Sequence, residues 1–306
     1  MVCDATDSSA VARLRTLKRR NRKPLAIMTA TEWVARSYVT GVSEEWQALN
    51  CSSRPIVLME KVVSKDTIGL DGVAPNVPYL GVMLPYSPLH YLLFESLREI
   101  SATQVLVMTS ANVSGDVLAT EYAHVVSSFP EQLDFILDHN RDIQNPCDDS
   151  LVHFVGNKIR PLRLARGYAP LSVNIEGADQ ALLAMGAQQK STIAFVSQNM
   201  LTLSPYLGEL ESLSVQERYQ NMMHWLPSIY HTQITKTVTD LHSRYFSTHC
   251  GQSMGIEHES VQHHFAHTLA VLAEHNISTP VMSFVFDGTG LGDDGTIWGR
   301  GFKSHS

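Results

Sequence analysis

Two apolar rhythms alternate along this chain. Residues spaced for a helix occupy Ser8–Lys18, Thr31–Tyr38 and Leu89–Ile100. Short apolar runs of strand length occupy Pro24–Met28, Pro55–Glu60, Gln104–Met108, Phe135–Asp138, Leu151–Val155 and Lys158–Leu164. The polar start of the first segment supplies a helix cap. Strands interleaved with helices predict an α/β domain on a mixed sheet.

The pattern changes at Ala169–Gln180, which holds Pro170, Gly177 and polar residues. This predicts a first domain over 1–170, a linker over 171–180 and a second domain over 181–306. The second opens with strands at Ala181–Met185, Ser191–Val196 and Leu201–Leu203, in a meander. A helix at Ser214–His231, a strand at Thr237–Asp240 and a helix around Tyr245 follow. Three antiparallel strands and then alternating helix and strand resemble the opening of an actin-like ATPase fold.

The last fifth carries the most chemistry. VQHHFAHTLAVLAEHN (Val261–Asn276) reads as a helix, Val281–Phe286 as a buried strand, and DGTGLGDDGT as a loop of glycines and carboxylates. At 100° per residue, Val261, Phe265, Leu269 and Leu272 fall within about 80° of one another, an apolar stripe. His263 and His267, one turn apart, share a different face. Asp287 ends the strand. Two imidazoles and a carboxylate suit a divalent metal with open positions. A polar surface pair beside an ordinary strand-to-strand turn is the other reading of the same residues.

Two segments of the first half offer anion chemistry. LKRRNRKP sets Lys18, Arg20 and Lys23 beside a strand, where they could clamp a polyphosphate or merely relieve a helix C-terminus. TSANVSG, Thr109–Gly115, follows a buried strand, and its Ser110, Asn112 and Ser114 suit an anion or a ribose, or a plain loop. Arg163 and Arg166 flank a strand end and are phosphate candidates or surface charges. Asp148 and Asp149 of CDDS organise a site, hold magnesium or cap a turn.

Charge and composition narrow the partners. Of 306 residues, 23 are Lys or Arg and 30 are Asp or Glu, a net charge of −7. That argues against broad nucleic-acid binding. Cys3, Cys51, Cys147 and Cys250 are scattered with no CxxC pair, which fits a reducing cytoplasm. The first residues have no apolar core of a signal peptide, and the run Tyr79–Phe94 is broken by Pro85 and Pro88, so no membrane span is expected.

VQHHFAH followed by FDGTGLGDDGTIWG resembles the HypF family, the carbamoyltransferases that mature nickel–iron hydrogenases. KRRNRKP, RPIVLMEK, APNVPYLGVMLPYSPLHYLL, VMTSANVSG, NPCDDSLV and RLARGYAP resemble the YrdC-like part of the same family. The resemblance implies a YrdC-like twisted mixed-sheet domain, followed by the first part of an actin-like α/β domain. It implies carbamoyl-adenylate formation from carbamoyl phosphate and ATP with magnesium. Transfer then goes to the C-terminal cysteine of a HypE-type acceptor protein. It makes Lys18, Arg20, Lys23, Ser110, Asn112, Ser114 and Arg166 the nucleotide and phosphate residues, and sets Gly288, Thr289 and Gly290 near nucleotide phosphates. His263, His267 and Asp287 become ligands of iron or zinc, and Lys18, Arg20, His263 and His267 the catalytic set.

The chain departs from the family at Phe265, where a histidine is usual. It also resembles only the middle of the family's architecture: the acylphosphatase and zinc-finger modules, the first strand of the YrdC-like domain and the rest of the actin-like domain are not expected in it. A nucleotide- and metal-binding fragment without turnover, and a tRNA threonylcarbamoyl-adenylate synthase, are the competing expectations.

Overall fold

The computed structural model describes residues 1–62, 70–102, 104–113, 115–130, 132–175, 177–178, 180–299 and 301–305. The chain divides into two compact units, Met1–Ala169 and Pro170–Ser306.

The first unit is built on one mixed sheet. Its strands are β1 (Val2–Asp4), β2 (Ala26–Thr29), β3 (Val39–Thr40), β4 (Ile56–Lys61), β5 (Tyr79–Met83), β6 (Val105–Met108), β7 (Leu151–Val155) and β8 (Lys158–Arg163), interleaved with helices α1 (Ser8–Leu17), α2 (Glu32–Ala35), α3 (Ser43–Asn50), α4 (Pro88–Ile100) and α5 (Tyr122–Ser128). The strand order is β1-β6-β2-β5-β4-β7-β8, with β3 also on β4. Strand alternation explains its two cores. Ile27, Val82 and Val107 point to one face and are buried with Leu14 of α1 and Leu49 of α3. Their neighbours Met28, Met83 and Leu106 point to the other and are buried with Phe94 of α4. Local chemistry starts the helices where they are needed. Asp7 accepts the Ser9 and Ala10 N–H groups ahead of α1, and Ser87 caps α4 with Pro88 in its first turn.

Several expectations are corrected here. Val2–Asp4 forms a strand, in register with Leu106–Met108, where the sequence promised none. The helix expected over Thr31–Tyr38 shrinks to α2, because Val39 pairs with Lys61 and draws the chain into β3. Phe135–Asp138 forms no strand. Phe135 is 94% and Leu137 78% exposed, and an apolar run without a ladder partner is not a strand.

The second unit holds β9 (Leu171–Asn174), β10 (Leu182–Ala184), β11 (Ala194–Ser197), β12 (Met200–Leu203), helix α6 (Leu213–Ile229), β13 (Lys236–Asp240), helix α7 (Phe246–Ser253), β14 (Glu257–Val261), helix α8 (His263–His275), β15 (Val281–Val285), β16 (Gly290–Leu291), β17 (Ile297–Trp298) and β18 (Gly301–His305). Its sheet runs β14-β13-β10-β11-β12-β9. β10, β13 and β14 are parallel, and β10, β11, β12 and β9 form an antiparallel meander. This is the order expected of an actin-like opening. The expected linker is corrected in part, since β9 extends the sheet as its edge through β12.

The expected helix over Val261–Asn276 is also corrected. Val261 ends β14, and α8 starts at His263. The apolar stripe is not its buried face: Leu269 is 38% exposed, and the buried residues are His264 and Thr268. Thr268 Oγ1 lies 2.8 Å from Ser283 Oγ, a polar tie between α8 and β15.

Two contacts fix the packing on the main sheet. Gly251 of α7 lies so close to β13 that a Cβ there would stand 2.5 Å from Thr239 Cγ2. Tyr219 of α6 is fully buried, and its hydroxyl donates to the Met185 carbonyl at 2.5 Å. Among the described residues no helix is long and apolar enough to cross a membrane. Tyr219→Phe leaves that carbonyl buried without its donor, at a cost of about 1–3 kcal/mol. Urea denaturation of the second unit should show the loss, with the denaturant slope unchanged.

Candidate functional site

Sheet geometry and one helix cap build the histidine site. β13 and β14 run parallel, with Asp240 in register with Val261. Gln262 then caps α8, its Oε1 accepting the Phe265 N–H at 2.8 Å. The cap places His263 at the first helical position, beside the end of β13. His263 and His267 lie on one face, their rings edge to face with centroids 5.0 Å apart. Asp287, just past β15, brings its Oδ2 to 2.8 Å from His263 Nε2 and 3.6 Å from His267 Nε2. One donor atom from each of the three residues lies within 4.8 Å of the others. Ligands held at about 2.0–2.2 Å from one ion sit about 3–3.5 Å from each other. Two imidazoles and a carboxylate at this spacing fit a divalent ion such as iron or zinc.

The electrostatics follow the contacts. The Asp240 carboxylate, hydrogen-bonded to His263 Nδ1 at 2.6 Å, raises the imidazole's pKa against the effect of partial burial, and Asp287 adds to the rise. Partial burial works against the Asp287 carboxylate. The Gly288 N–H at 2.6 Å and the two histidines nonetheless hold its pKa below the ordinary value.

The glycine loop divides into two parts. Gly288 and Thr289 are exposed, while Gly290 is buried. A Cβ on Gly290 would stand 2.6 Å from His264 Cε1 and 2.9 Å from His263 Cδ2. Gly290 thus lets the loop close on the ligand helix. The turn beyond it is held by Asp294 Oδ1, which accepts from the Thr296 N–H and hydroxyl and from Trp298 Nε1.

In the first unit the expected anion residues separate into two groups. Lys18 is 2% exposed, and its ammonium donates to Ser110 O at 2.6 Å, Asn112 O at 2.8 Å and Asn112 Oδ1 at 3.2 Å. All three donors therefore pin the TSANVSG loop. Ser110 Oγ donates to the same Asn112 Oδ1, and Asn112 Nδ2 to Asp116 O. Burial, with Arg20 nearby, lowers the Lys18 pKa to about 8, although Asp148 opposes the shift. Arg20 is half-buried. It donates to Pro24 O, and its Nε is buried with no hydrogen-bond partner. Burial lowers the Arg20 pKa too, reinforced by Arg163 and Arg15. Lys23 is exposed. Ser114 lies outside the described residues.

Arg166 is engaged elsewhere. It donates to Asp149 Oδ1 from Nε and Nη2 at 3.1 and 2.9 Å, to Ser53 O at 2.8 Å and to Arg54 O at 2.8 Å, and it lies 3.5 Å from the Tyr86 ring centroid.

Sequence reasoning missed three residues at these sites. Asp240 touches the ligand helix from a strand. Tyr86 and His90 stack edge to face, with ring centroids 4.5 Å apart, beside Arg166. Burial and the neighbouring Asp149 push the Tyr86 phenol up to about 12. Burial lowers the His90 pKa, and its Nδ1 is buried with no hydrogen-bond partner. The sequence signal for this pair lies in the LPYSPLH segment, where a tyrosine and a histidine four residues apart flank a helix start.

Two outcomes are expected. Gly290→Ala forces the loop off the histidine rings, costing about 1–3 kcal/mol of stability. Zinc binding should also weaken, which competition with a chromophoric chelator would measure. For Lys18, the native pKa of about 8 lies below the ordinary 10.5. Between those values the native state has released a proton that the unfolded state keeps, so this residue makes stability rise with pH. The urea stability of the native chain relative to Lys18→Met should therefore climb from about pH 8 to 10.5; a flat difference would contradict the assignment.

Comparison with known proteins follows the same division. A family model described as telomere recombination, for Sua5, YciO and YrdC, matches residues 1–165. A model for the HypF Kae1-like domain matches residues 177–274. Carbamoyltransferase HypF of Synechocystis is 38% identical over 304 residues, covering 99% of this chain and 39% of that protein. The probable carbamoyltransferase HypF of Methanocaldococcus jannaschii is 33% identical over 306 residues, with 98% and 39% covered. Among solved structures, full-length HypF in its phosphate- and nucleotide-bound form aligns with a TM-score of 0.92 at 33% identity, over 99% of this chain and 47% of that one. HypF of T. kodakarensis aligns at 0.89 and 32%, over 98% and 39%. The chain spans about two fifths of the length of these curated relatives. With a Sua5/YciO/YrdC unit followed by a HypF Kae1-like unit, and relatives matched across nearly all its residues, the chain belongs to the HypF family.

Proposed function

We propose that the chain carries the adenylate-forming and metal-binding parts of a carbamoyltransferase that serves cyanide-ligand synthesis in nickel–iron hydrogenases. The observation that carries this reading is the convergence of His263, His267 and Asp287, from a helix and a separate strand end, within 4.8 Å. In the first unit, ATP and magnesium would meet carbamoyl phosphate. Water cleaves carbamoyl phosphate to inorganic phosphate and carbamate, and the carbamate oxygen then bonds to the α-phosphorus of ATP as pyrophosphate departs. In the second, the thiolate of a HypE-type C-terminal cysteine attacks the carbamoyl carbon and AMP leaves.

The residues support these roles by their chemistry. Arg20, with a buried Nε that has no partner and two arginines close enough to depress its pKa, is a site short of an anion. A phosphate there would offset the buried charge. Lys18 holds the TSANVSG loop in shape beside it. Asp149 and Arg166 keep the CDDS segment against Tyr86. In the second unit a divalent ion would polarise a carbonyl or hold a phosphate. Asp287 and the histidines would hold it, and the exposed Gly288 and Thr289 leave room for substrate beside it.

The chain's two-fifths share of its relatives' length favours a second reading: a nucleotide- and metal-binding portion that turns over only with further domains. ATP–pyrophosphate exchange separates the two. Exchange dependent on carbamoyl phosphate supports the first reading, and calorimetric ATP binding without exchange supports the second. In an active chain, Asn112→Ala should lower exchange at least tenfold, whereas His263→Ala should spare it. Loss of exchange in both variants would contradict a division of labour between the units.

A further inference from the structure

Asp240 lies 23 residues before His263, in a strand, yet it is bonded to His263 more closely than Asp287 is. Its carboxylate is 6% exposed, and both oxygens are engaged. Oδ1 accepts the backbone N–H of His242 at 2.8 Å. Oδ2 lies 2.6 Å from His263 Nδ1. An ionised carboxylate has no hydrogen to give. Nδ1 must therefore donate to it. Nε2 points the other way, 2.8 Å from Asp287 Oδ2 and into the space shared with His267, so an ion bound there would take the Nε2 lone pair and leave the ring's one proton on Nδ1.

We infer that Asp240 is a positioning residue that fixes His263 in the tautomer able to bind a metal ion through Nε2. This rests on the metal reading of His263, His267 and Asp287 given above. The support is structural as well as chemical. Asp240 sits at the end of β13, held in register by β14. Its backbone carbonyl accepts the Thr248 hydroxyl of α7 at 3.3 Å. The acceptor is therefore anchored by the sheet and by a helix other than the one it orients. A hydrogen bond from a ligand imidazole to a fixed carboxylate raises the basicity of the metal-binding nitrogen and removes rotational freedom from the ring.

An amide in place of this carboxylate reverses the pattern. Asparagine has one acceptor oxygen, and the His242 N–H requires it. The NH2 group then faces His263 Nδ1 and donates to it. Nδ1 becomes the acceptor and the ring proton moves to Nε2, the wrong nitrogen for a ligand. Asp240→Asn thus changes few atoms in size and inverts the tautomer.

The test uses the 306-residue chain with zinc as the probe. Nitrogen-15 histidine spectra of the zinc-loaded chain report which nitrogen of His263 is protonated. Competition with a chromophoric chelator reports zinc affinity. The native chain should carry the proton on Nδ1 and Asp240→Asn on Nε2. Zinc affinity in Asp240→Asn should fall about 10- to 100-fold, as for other outer partners of metal ligands, while His263→Ala loses the site. The inference is overturned if the native ring is protonated on Nε2, or if Asp240→Asn binds zinc within about twofold of native while His263→Ala does not. If His263→Ala binds zinc as well as the native chain, the metal reading itself fails, which is a distinct result. Should Asp240→Asn not fold, the tautomer of the native chain decides the matter alone.

Discussion

The hydrogen bond between Asp240 and His263 is where the sheet, the ligand helix and the loops of the second unit meet. A carboxylate at the end of a parallel strand is fixed by its neighbours on either side: β13 pairs with β10 and β14, and α7 lies against it through Gly251. The first residue of a helix is usually its least constrained. Here that residue is held by the Gln262 cap and by a partner that cannot move without the sheet. The second anchor of α8 is also polar, since Thr268 meets Ser283 of β15. β15 in turn delivers Asp287. The three candidate ligands therefore owe their separation to hydrogen bonds between elements more than to apolar packing. Hydrogen bonds fix direction as well as distance, and direction is what a metal ligand needs.

The first unit solves the opposite electrostatic problem. It buries positive charge, which is costly unless acceptors or anions replace the lost water. Lys18 finds acceptors in the loop it pins, and all three of its donors are satisfied. Arg20 is not satisfied to the same degree, and neighbouring arginines add repulsion. A protein of net charge −7 has no general surplus of cations. The concentration beside α1 is therefore local, and burial is the main cause of its depressed pKa values. Lys18 and Arg20, neighbours in one basic run, divide the work: one shapes the loop and the other remains open to a ligand.

Much of this was legible in the sequence, for reasons that differ from element to element. The i, i+4 spacing of His263 and His267 is enough to place them on a common face, because only local helix geometry is involved. Asp287 was legible as a strand end. Asp240 was not, since its contact depends on two strands lying in register. β14 itself escaped notice because EHESV alternates with little apolar content, as an edge strand permits. The stripe of Val261, Phe265, Leu269 and Leu272 was real as a pattern, yet the face that is buried carries His264 and Thr268. Periodicity shows which residues are apolar together, not which of them find a partner. Arg166 shows the same limit for charge: a strand-end arginine looks free to bind phosphate, but backbone carbonyls from Ser53 and Arg54 and the Asp149 carboxylate already occupy it.

Both sites, so different in charge, suit the same chemical group. Phosphate binds to guanidinium through paired hydrogen bonds and to a divalent ion through its oxygens. Under the proposed function the adenylate is the species that carries a phosphate from the first chemistry to the second. Its phosphate would be the handle at each stage, and at transfer the carbamoyl carbon would exchange its bond to the phosphate oxygen for one to sulfur. That division explains why neither site supplies a nucleophile of its own. Among the described residues the groups around Lys18 and Arg20 include cations, amides, hydroxyls and the Asp148 carboxylate, and those around His263 include imidazoles, carboxylates and glycine N–H groups. Burial holds two of the cysteines away from the thiolate: it raises the pKa of Cys3 to about 11 and raises that of Cys250 as well. Under the proposed function the thiolate comes from the acceptor. Under that function the exposed Gly288–Thr289 edge is where the acceptor's terminus would be received.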